Sequence, residues 1–145
     1  MKISETGLSA IKQHEALRLE SYPDPGTGEE PWTIGYGHTG KDIRQGLTIT
    51  EEEANQYLRN DIGWVEDCVN ENVTVELTQS QFDALCSLIF NIGCKAFAGS
   101  TLLRLLNEKH YEAAEQQFAR WNKAAGKVLA GLTKRRKDEA ELFHA

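Results

Sequence analysis

Apolar positions recur at helical spacing over most of this chain. Between residues 54 and 69, Ala54, Tyr57, Leu58, Ile62, Val65 and Val69 fall so as to line one face of a helix. Phe82, Leu85, Cys86 and Ile89 repeat the pattern further on, and Gly93 ends that run. A start signal precedes each stripe. "TEEE" at 50–53 and "TQSQ" at 78–81 pair a hydroxyl N-cap, Thr50 or Thr78, with Glu53 or Gln81 three residues later, which can bond back to the cap's N–H. Further helices are predicted at 4–16, 100–107, 111–121 and 133–143, the last capped by Thr133. These stripes read as core.

Residues 18–48 break the helical pattern. "SYPDPGTGEEPWTIGYGHTG" at 21–40 holds five glycines and three prolines. Turn residues around "PDPGTGEEP" and the alternating "WTIGYG" predict a β-hairpin followed by a further short strand or loop. The glycines of "GYGH" fit turn geometry better than a phosphate-cradling loop, because the glycine pattern is incomplete and no βαβ unit surrounds it. The expected class is α+β, mostly helical, in one domain over 1–145. A small β-lobe at about 17–48 would sit beside a helical lobe at about 49–145 with the N-terminal helix 4–16. A cleft between two such lobes is a natural place for a binding site.

Composition narrows the functional classes. The 145 residues are 40% hydrophobic and 26% charged, and no apolar run approaches the roughly 18 residues that would span a membrane. "MKISETGLSA" lacks the apolar core and cleavage site of a secretory signal, so the expectation is a cytoplasmic product whose export is assisted. Residues 1–48 carry 5 basic and 7 acidic side chains, 49–100 carry 2 and 9, and 101–145 carry 9 and 6, for −2, −7 and +3. A total of −6 argues against a general nucleic-acid binder, and "KRRK" at 134–137 reads as a solvated helix end. Three cysteines, Cys68, Cys86 and Cys94, cannot all pair and show no C-x-x-C spacing; free, largely buried thiols are expected. His14, His110 and His144 have no metal-ligand spacing with His38, so no metal site is expected.

The candidate chemistry lies in "HEALRLESYPD". Glu15 closes the first predicted helix and Asp24 lies in the hairpin after it, so a compact turn could aim both at one cleft. Two carboxylates are the minimal kit for cleaving a glycosidic bond: one gives a proton to the leaving oxygen, and the other, ionised, directs water or steadies an oxocarbenium-like transition state. With 22 acidic residues in the chain, the pair alone decides nothing.

The order of residues adds more. "E-A-L-R-L-x-x-Y-x-D" followed by "T-I-G-Y-G-H" resembles the signature of the tailed-phage lysozymes, glycoside hydrolase family 24. The resemblance continues through "LTITEEEANQYLRNDI", "LTQSQFDALCSLIFNIGCKAFAGSTLLRLLN", "AAEQQFARWNKAAGKVLAGLTKRR" and "EAELF", nearly the whole chain. It implies an endolysin whose acid is Glu15, whose second carboxylate is Asp24 and whose catalytic threonine is Thr33. Eight residues separate Asp24 from Thr33, more than the family usually has, and Ala16 replaces a glycine that often follows the acid. The extra residues fall in "GEEP" at 28–31; if they shift the strand instead, Thr27 rivals Thr33.

The resemblance also implies a structural ion pair between His38 and Asp61. Phe90 and Asn91 of "IFNIG" would line the sugar cleft, with Phe90 as plain core the alternative. Arg135 and Arg136 would orient Glu15 or bind substrate, or else form exposed salt bridges. The implied substrate is peptidoglycan, cut at the β-1,4 bond between N-acetylmuramic acid and N-acetylglucosamine without metal or organic cofactor. The protein would be a monomer, held in the host cytoplasm until a holin-type membrane protein releases it to the wall. A lytic transglycosylase and a non-catalytic wall-binding module are the alternatives.

Overall fold

Both capping boxes form. The Thr50 N–H donates to Glu53 Oε1 and the Glu53 N–H to Thr50 Oγ1, each at 3.1 Å, and this launches α2 (Glu51–Asn72). Thr78 and Gln81 do the same for α3 (Gln79–Ile92), which Gly93 ends at φ 91°, returning its N–H to the Ile89 carbonyl at 2.8 Å. A left-handed backbone at that point is open to glycine at little cost.

The computed structural model describes residues 1–145, in two units: Lys12–Gly63, and Met1–Ile11 with Trp64–Ala145. The first unit takes the end of α1 (Glu5–His14), a three-stranded antiparallel sheet and the first half of α2. Its strands, β1 (Arg18–Tyr22), β2 (Thr33–Gly35) and β3 (His38–Thr39), lie in the order β1-β2-β3, with Tyr22 opposite Thr33 and Thr33 opposite Thr39. Ile34, Ile43, Ala54, Leu58 and Ile62 are buried in its core. Gly35, at φ 67° where an L side chain is strained, faces α2, and a Cβ there would stand 3.4 Å from that of Ala54.

The second unit is helical and centred on α3, whose residues 82–89 are all buried. Around it come α4 (Cys94–Ala98), α5 (Thr101–Asn107), α6 (Tyr111–Gln117) and α7 (Ala130–His144). A 3-10 turn, Phe118–Arg120, and a two-rung hairpin of β4 (Lys123–Ala124) and β5 (Lys127–Val128) connect α6 to α7. The Phe118 and Phe143 rings meet at 5.5 Å. Buried Asp83 on α3 holds the start of α1: it accepts from the Ser4 N–H at 3.0 Å, from the Ser4 hydroxyl, and from Gln79 Nε2 at 2.9 Å. No helix of the chain is long and apolar enough to cross a membrane.

Three expectations need correction. Thr133 does not cap the last helix, which begins at Ala130 after Leu129; the Thr133 hydroxyl instead accepts from Asn122 Nδ2 at 3.3 Å. The cysteines are not all free: Cys68 on α2 and Cys94 at the start of α4 form a disulfide with Cα atoms 5.9 Å apart, and only Cys86 remains a buried thiol. "KRRK" is not a solvated end throughout. Arg135 and Arg136 are 4% and 1% exposed, and both clasp Glu139, with Arg135 Nε 3.1 Å from Oε2 and Arg136 Nε 2.7 Å from Oε1. Ser87 donates to the same carboxylate, and Arg135 Nη2 donates to the Ser87 carbonyl at 3.1 Å. A buried charge is tolerable only with such partners.

Candidate active site

The unit Lys12–Gly63 gathers Glu15, Asp24, Thr33, His38 and Asp61. Glu15 is half-buried, one residue beyond the end of α1. Its Oε2 lies 3.5 Å from where a Cβ at Gly37 would stand, so the carboxylate reaches the turn between β2 and β3. Gly37 takes φ 88°, a conformation that favours glycine, and the Glu15 carboxylate comes within van der Waals reach of it. The "GYG" segment is thus a turn that Glu15 abuts. Buried Tyr36 at its centre has the Lys12 ammonium 5.6 Å from its ring centroid.

Asp24 begins the hairpin tip. Its Oδ2 accepts from the Gly26 N–H at 3.0 Å and the Thr27 N–H at 3.1 Å, while its own N–H donates to the Glu29 carbonyl at 3.0 Å. An aspartate that bonds the backbone two and three residues on sets the turn by itself. Both side-chain bonds fall on one oxygen, and the carboxylate is half-buried.

The two threonines differ in what their hydroxyls do. Thr27 is exposed; its Oγ1 donates to the Glu30 carbonyl at 2.7 Å and accepts from the Glu29 N–H at 3.2 Å, so it serves the tip's own folding. Thr33 opens β2, half-buried, between Tyr22 on one neighbouring strand and Thr39 on the other.

His38 packs on α2. Its Nδ1 lies 2.8 Å from Asp61 Oδ2 and 3.0 Å from Oδ1, and its ring stacks on Tyr57, one turn earlier on the helix, with centroids 4.3 Å apart. Nε2 lies 3.8 Å from Asp42 Oδ1. The sequence reading missed Tyr57 and Gly37. The four-residue step from Tyr57 to Asp61 was a usable signal for the first, since such positions share a helix face.

Phe90 and Asn91 lie in the last turn of α3, in the helical unit, Phe90 half-buried and Asn91 exposed. No group of three or more His, Cys, Asp or Glu side chains is placed to hold a metal ion.

Glu15, Asp24 and Thr33 follow one another along this unit in the order of the lysozyme signature. The family model for phage lysozyme matches residues 12–139. The chain belongs to the phage lysozyme family. The endolysin of Salmonella phage P22 is 48% identical over 147 residues, covering 99% of this chain and 98% of that protein. A crystal structure of a P22 lysozyme mutant superposes with a TM-score of 0.88 at 47% identity, over 100% of this chain and 99% of that one. The muramidase domain of SpmX from Asticaccaulis excentricus gives a TM-score of 0.91 at 42% identity, over 99% and 98%. This phage lysozyme is therefore a mostly helical α+β protein of lysozyme fold and a glycoside hydrolase, and its relatives favour hydrolysis over lytic transglycosylation.

Proposed function

We propose that this lysozyme is an endolysin that hydrolyses the β-1,4 bond between N-acetylmuramic acid and N-acetylglucosamine in peptidoglycan, with Glu15 as general acid and Asp24 and Thr33 as the groups that position water. The observation that carries this is the pairing of Glu15 with the Gly37 turn in the unit that also holds Asp24 and Thr33. Glu15 gives its proton to the glycosidic oxygen as the bond breaks. Asp24, steered by two N–H groups on Oδ2, keeps Oδ1 for a water that attacks the opposite face of the sugar. The Thr33 hydroxyl accepts from or donates to that water; Thr27 is the weaker choice because its hydroxyl is already bonded twice within the tip.

Phe90 and Asn91 are assigned to sugar binding, and the His38–Asp61 contact to tying the sheet to α2. The family match, over residues 12–139, runs through both units, which supports one lysozyme domain over 1–145; this reading takes the domain to act as a monomer. The reading extends to storage in the host cytoplasm and release to the wall through a holin-type membrane protein, as the resemblance to endolysins implies. Turbidity clearing of permeabilised cells tests the core of the reading. Glu15→Gln keeps the size of the side chain but cannot donate the proton, and a drop in rate of about 10²–10⁴ is expected in a protein that still folds. Asp24→Asn keeps an oxygen for the Gly26 and Thr27 N–H groups, so it should lose activity and keep the turn. A Glu15→Gln protein that clears cells at the wild-type rate removes Glu15 from the mechanism.

A further inference from the structure

β1 is not a regular strand. Arg18 pairs with Gly35 and Tyr22 with Thr33, so four steps of β1 run beside two steps of β2, and the register shifts between them. The extra residues make a bulge, which bends the strand that carries it. Inside the bulge the backbone is bonded on its other side: the Ser21 N–H donates to the Leu47 carbonyl and the Ile49 N–H to the Leu19 carbonyl, each at 2.9 Å, and Glu20 bridges Thr48. Buried Ser21 adds a bond from its hydroxyl to the Arg44 carbonyl at 2.8 Å.

Across the bend two side chains meet. The Arg18 guanidinium carbon lies 4.6 Å from the Tyr22 ring centroid, well inside the reach of a cation–π contact. In a straight strand residues four apart stand about 13 Å from one another, whereas the β2 partners of these two are only two residues, about 6.6 Å, apart. The bend brings the pair together, and the stack braces the bend.

We propose that Arg18 and Tyr22 are positioning residues for hydrolysis: their stack fixes the bend of β1, and with it the placement of Asp24 relative to Glu15. The proposal rests on the muramidase reading above and adds to it the device that sets the two carboxylates. Chain geometry supplies the need. Glu15 stands three residues before Arg18 and Asp24 two after Tyr22. Nine fully extended steps would hold them about 30 Å apart, whereas an inverting glycosidase needs about 6.5–9.5 Å between its carboxyl groups. The path between them must be shortened, and the bulge lies in its middle. The register also sets Tyr22 directly opposite Thr33, so its ring stands on the same face of the sheet as the hydroxyl assigned to the attacking water.

Such a stack, with Arg18 exposed, does little for stability; its loss should move Tm by no more than about 3 °C. Alignment is far more sensitive, since a displacement of about 1 Å can cost 10²-fold in rate.

The experiment measures kcat and KM on soluble, peptide-free glycan strands. Arg18→Thr removes the guanidinium and suits a strand, Tyr22→Leu removes the ring, and Tyr22→Phe keeps it. The first two should each lower kcat by about 10–100-fold and leave KM within about twofold. The double variant, Arg18→Thr with Tyr22→Leu, should fall no further than the worse single, because one stack is lost in every case. Tyr22→Phe should run near the wild-type rate, a rescue that a need for the phenol hydroxyl would not allow. If Tyr22→Leu does not fold, Arg18→Thr, at an exposed position, and Tyr22→Phe decide. An unchanged kcat in Arg18→Thr, a loss confined to KM, or losses that multiply in the double variant overturn the positioning role while leaving the muramidase reading intact. A wild-type protein that cleaves no strand overturns both.

Discussion

Removing the Cys68–Cys94 bond should cost a large part of the stability of the helical unit. The bond joins two residues 26 apart in sequence and closes a loop that contains all of α3, the most buried helix of the chain. Constraining a loop of that length in the unfolded chain is worth about 3.5 kcal/mol at 25 °C on the loop-entropy account. Spread over an unfolding entropy of about 0.3 kcal/mol/K for a chain of this size, the loss corresponds to a fall in Tm of about 12 °C. The Cys68→Ala, Cys94→Ala double variant leaves the neighbouring anchor in place, because Asn72 Nδ2 still donates to the carbonyl of residue 68 at 2.8 Å and Asn107 Nδ2 to the Asn72 carbonyl at 3.0 Å. Scanning calorimetry of the oxidised protein, the reduced protein and the double variant gives the comparison; the last two should melt together. Thiol titration supplies the chemical check: one reactive thiol per unfolded, unreduced chain and three after reduction. That one thiol, Cys86, should be inert in the folded protein, since burial, reinforced by the Glu66 and Asp83 carboxylates, pushes its pKa far up. Three thiols without reductant, or a Tm that reductant moves by less than about 2 °C, would refute the reasoning.

Two further outcomes are expected. Gly7→Ala should destabilise by about 1–3 kcal/mol in denaturant unfolding, because the added Cβ would stand 2.6 Å from Ile3 Cγ1 and 2.7 Å from Asp83 Cγ, where α1 meets α3; an unchanged midpoint would mean that α1 is not held there. Hydrolysis should invert the anomeric centre, since a water steered by Asp24 and Thr33 attacks the face opposite the leaving group. Proton NMR of the first-formed reducing ends should then show the α-anomer, and an initial β-anomer would make Asp24 a nucleophile instead.

What could be read in the sequence was what the chain decides locally. The capping boxes at Thr50 and Thr78 and the stop at Gly93 are fixed within a few residues of themselves, and each appears where its residues place it. Thr133 misled because the last helix is entered from the β5 strand, with Leu129 in the cap position and no side-chain bond there, so the helix starts before any polar signal. The β4–β5 hairpin has only two paired positions on each strand, too few for alternation to register, and α4 is a bare five residues. The disulfide was hidden by an odd cysteine count and a separation of 26 residues. The burial of Arg135 and Arg136 depends on Glu139 and Ser87, and Ser87 is 48 residues away from Arg135. In the candidate site, the Asp24 turn is local, whereas the approach of Glu15 to Gly37 is made by the fold and no spacing announces it.

The central claim is that Glu15 and the Asp24 and Thr33 side chains add water across a glycosidic bond of peptidoglycan, and digestion of purified wall in heavy-oxygen water tests it most directly. Mass spectrometry of the released muropeptides should find one heavy oxygen on each new reducing-end muramic acid from the wild-type enzyme, and about 10²–10⁴-fold less of that product from Glu15→Gln at the same enzyme concentration and time. Anhydro-muropeptides one water lighter and free of the label would contradict the account, as would labelled product formed by Glu15→Gln at the wild-type rate.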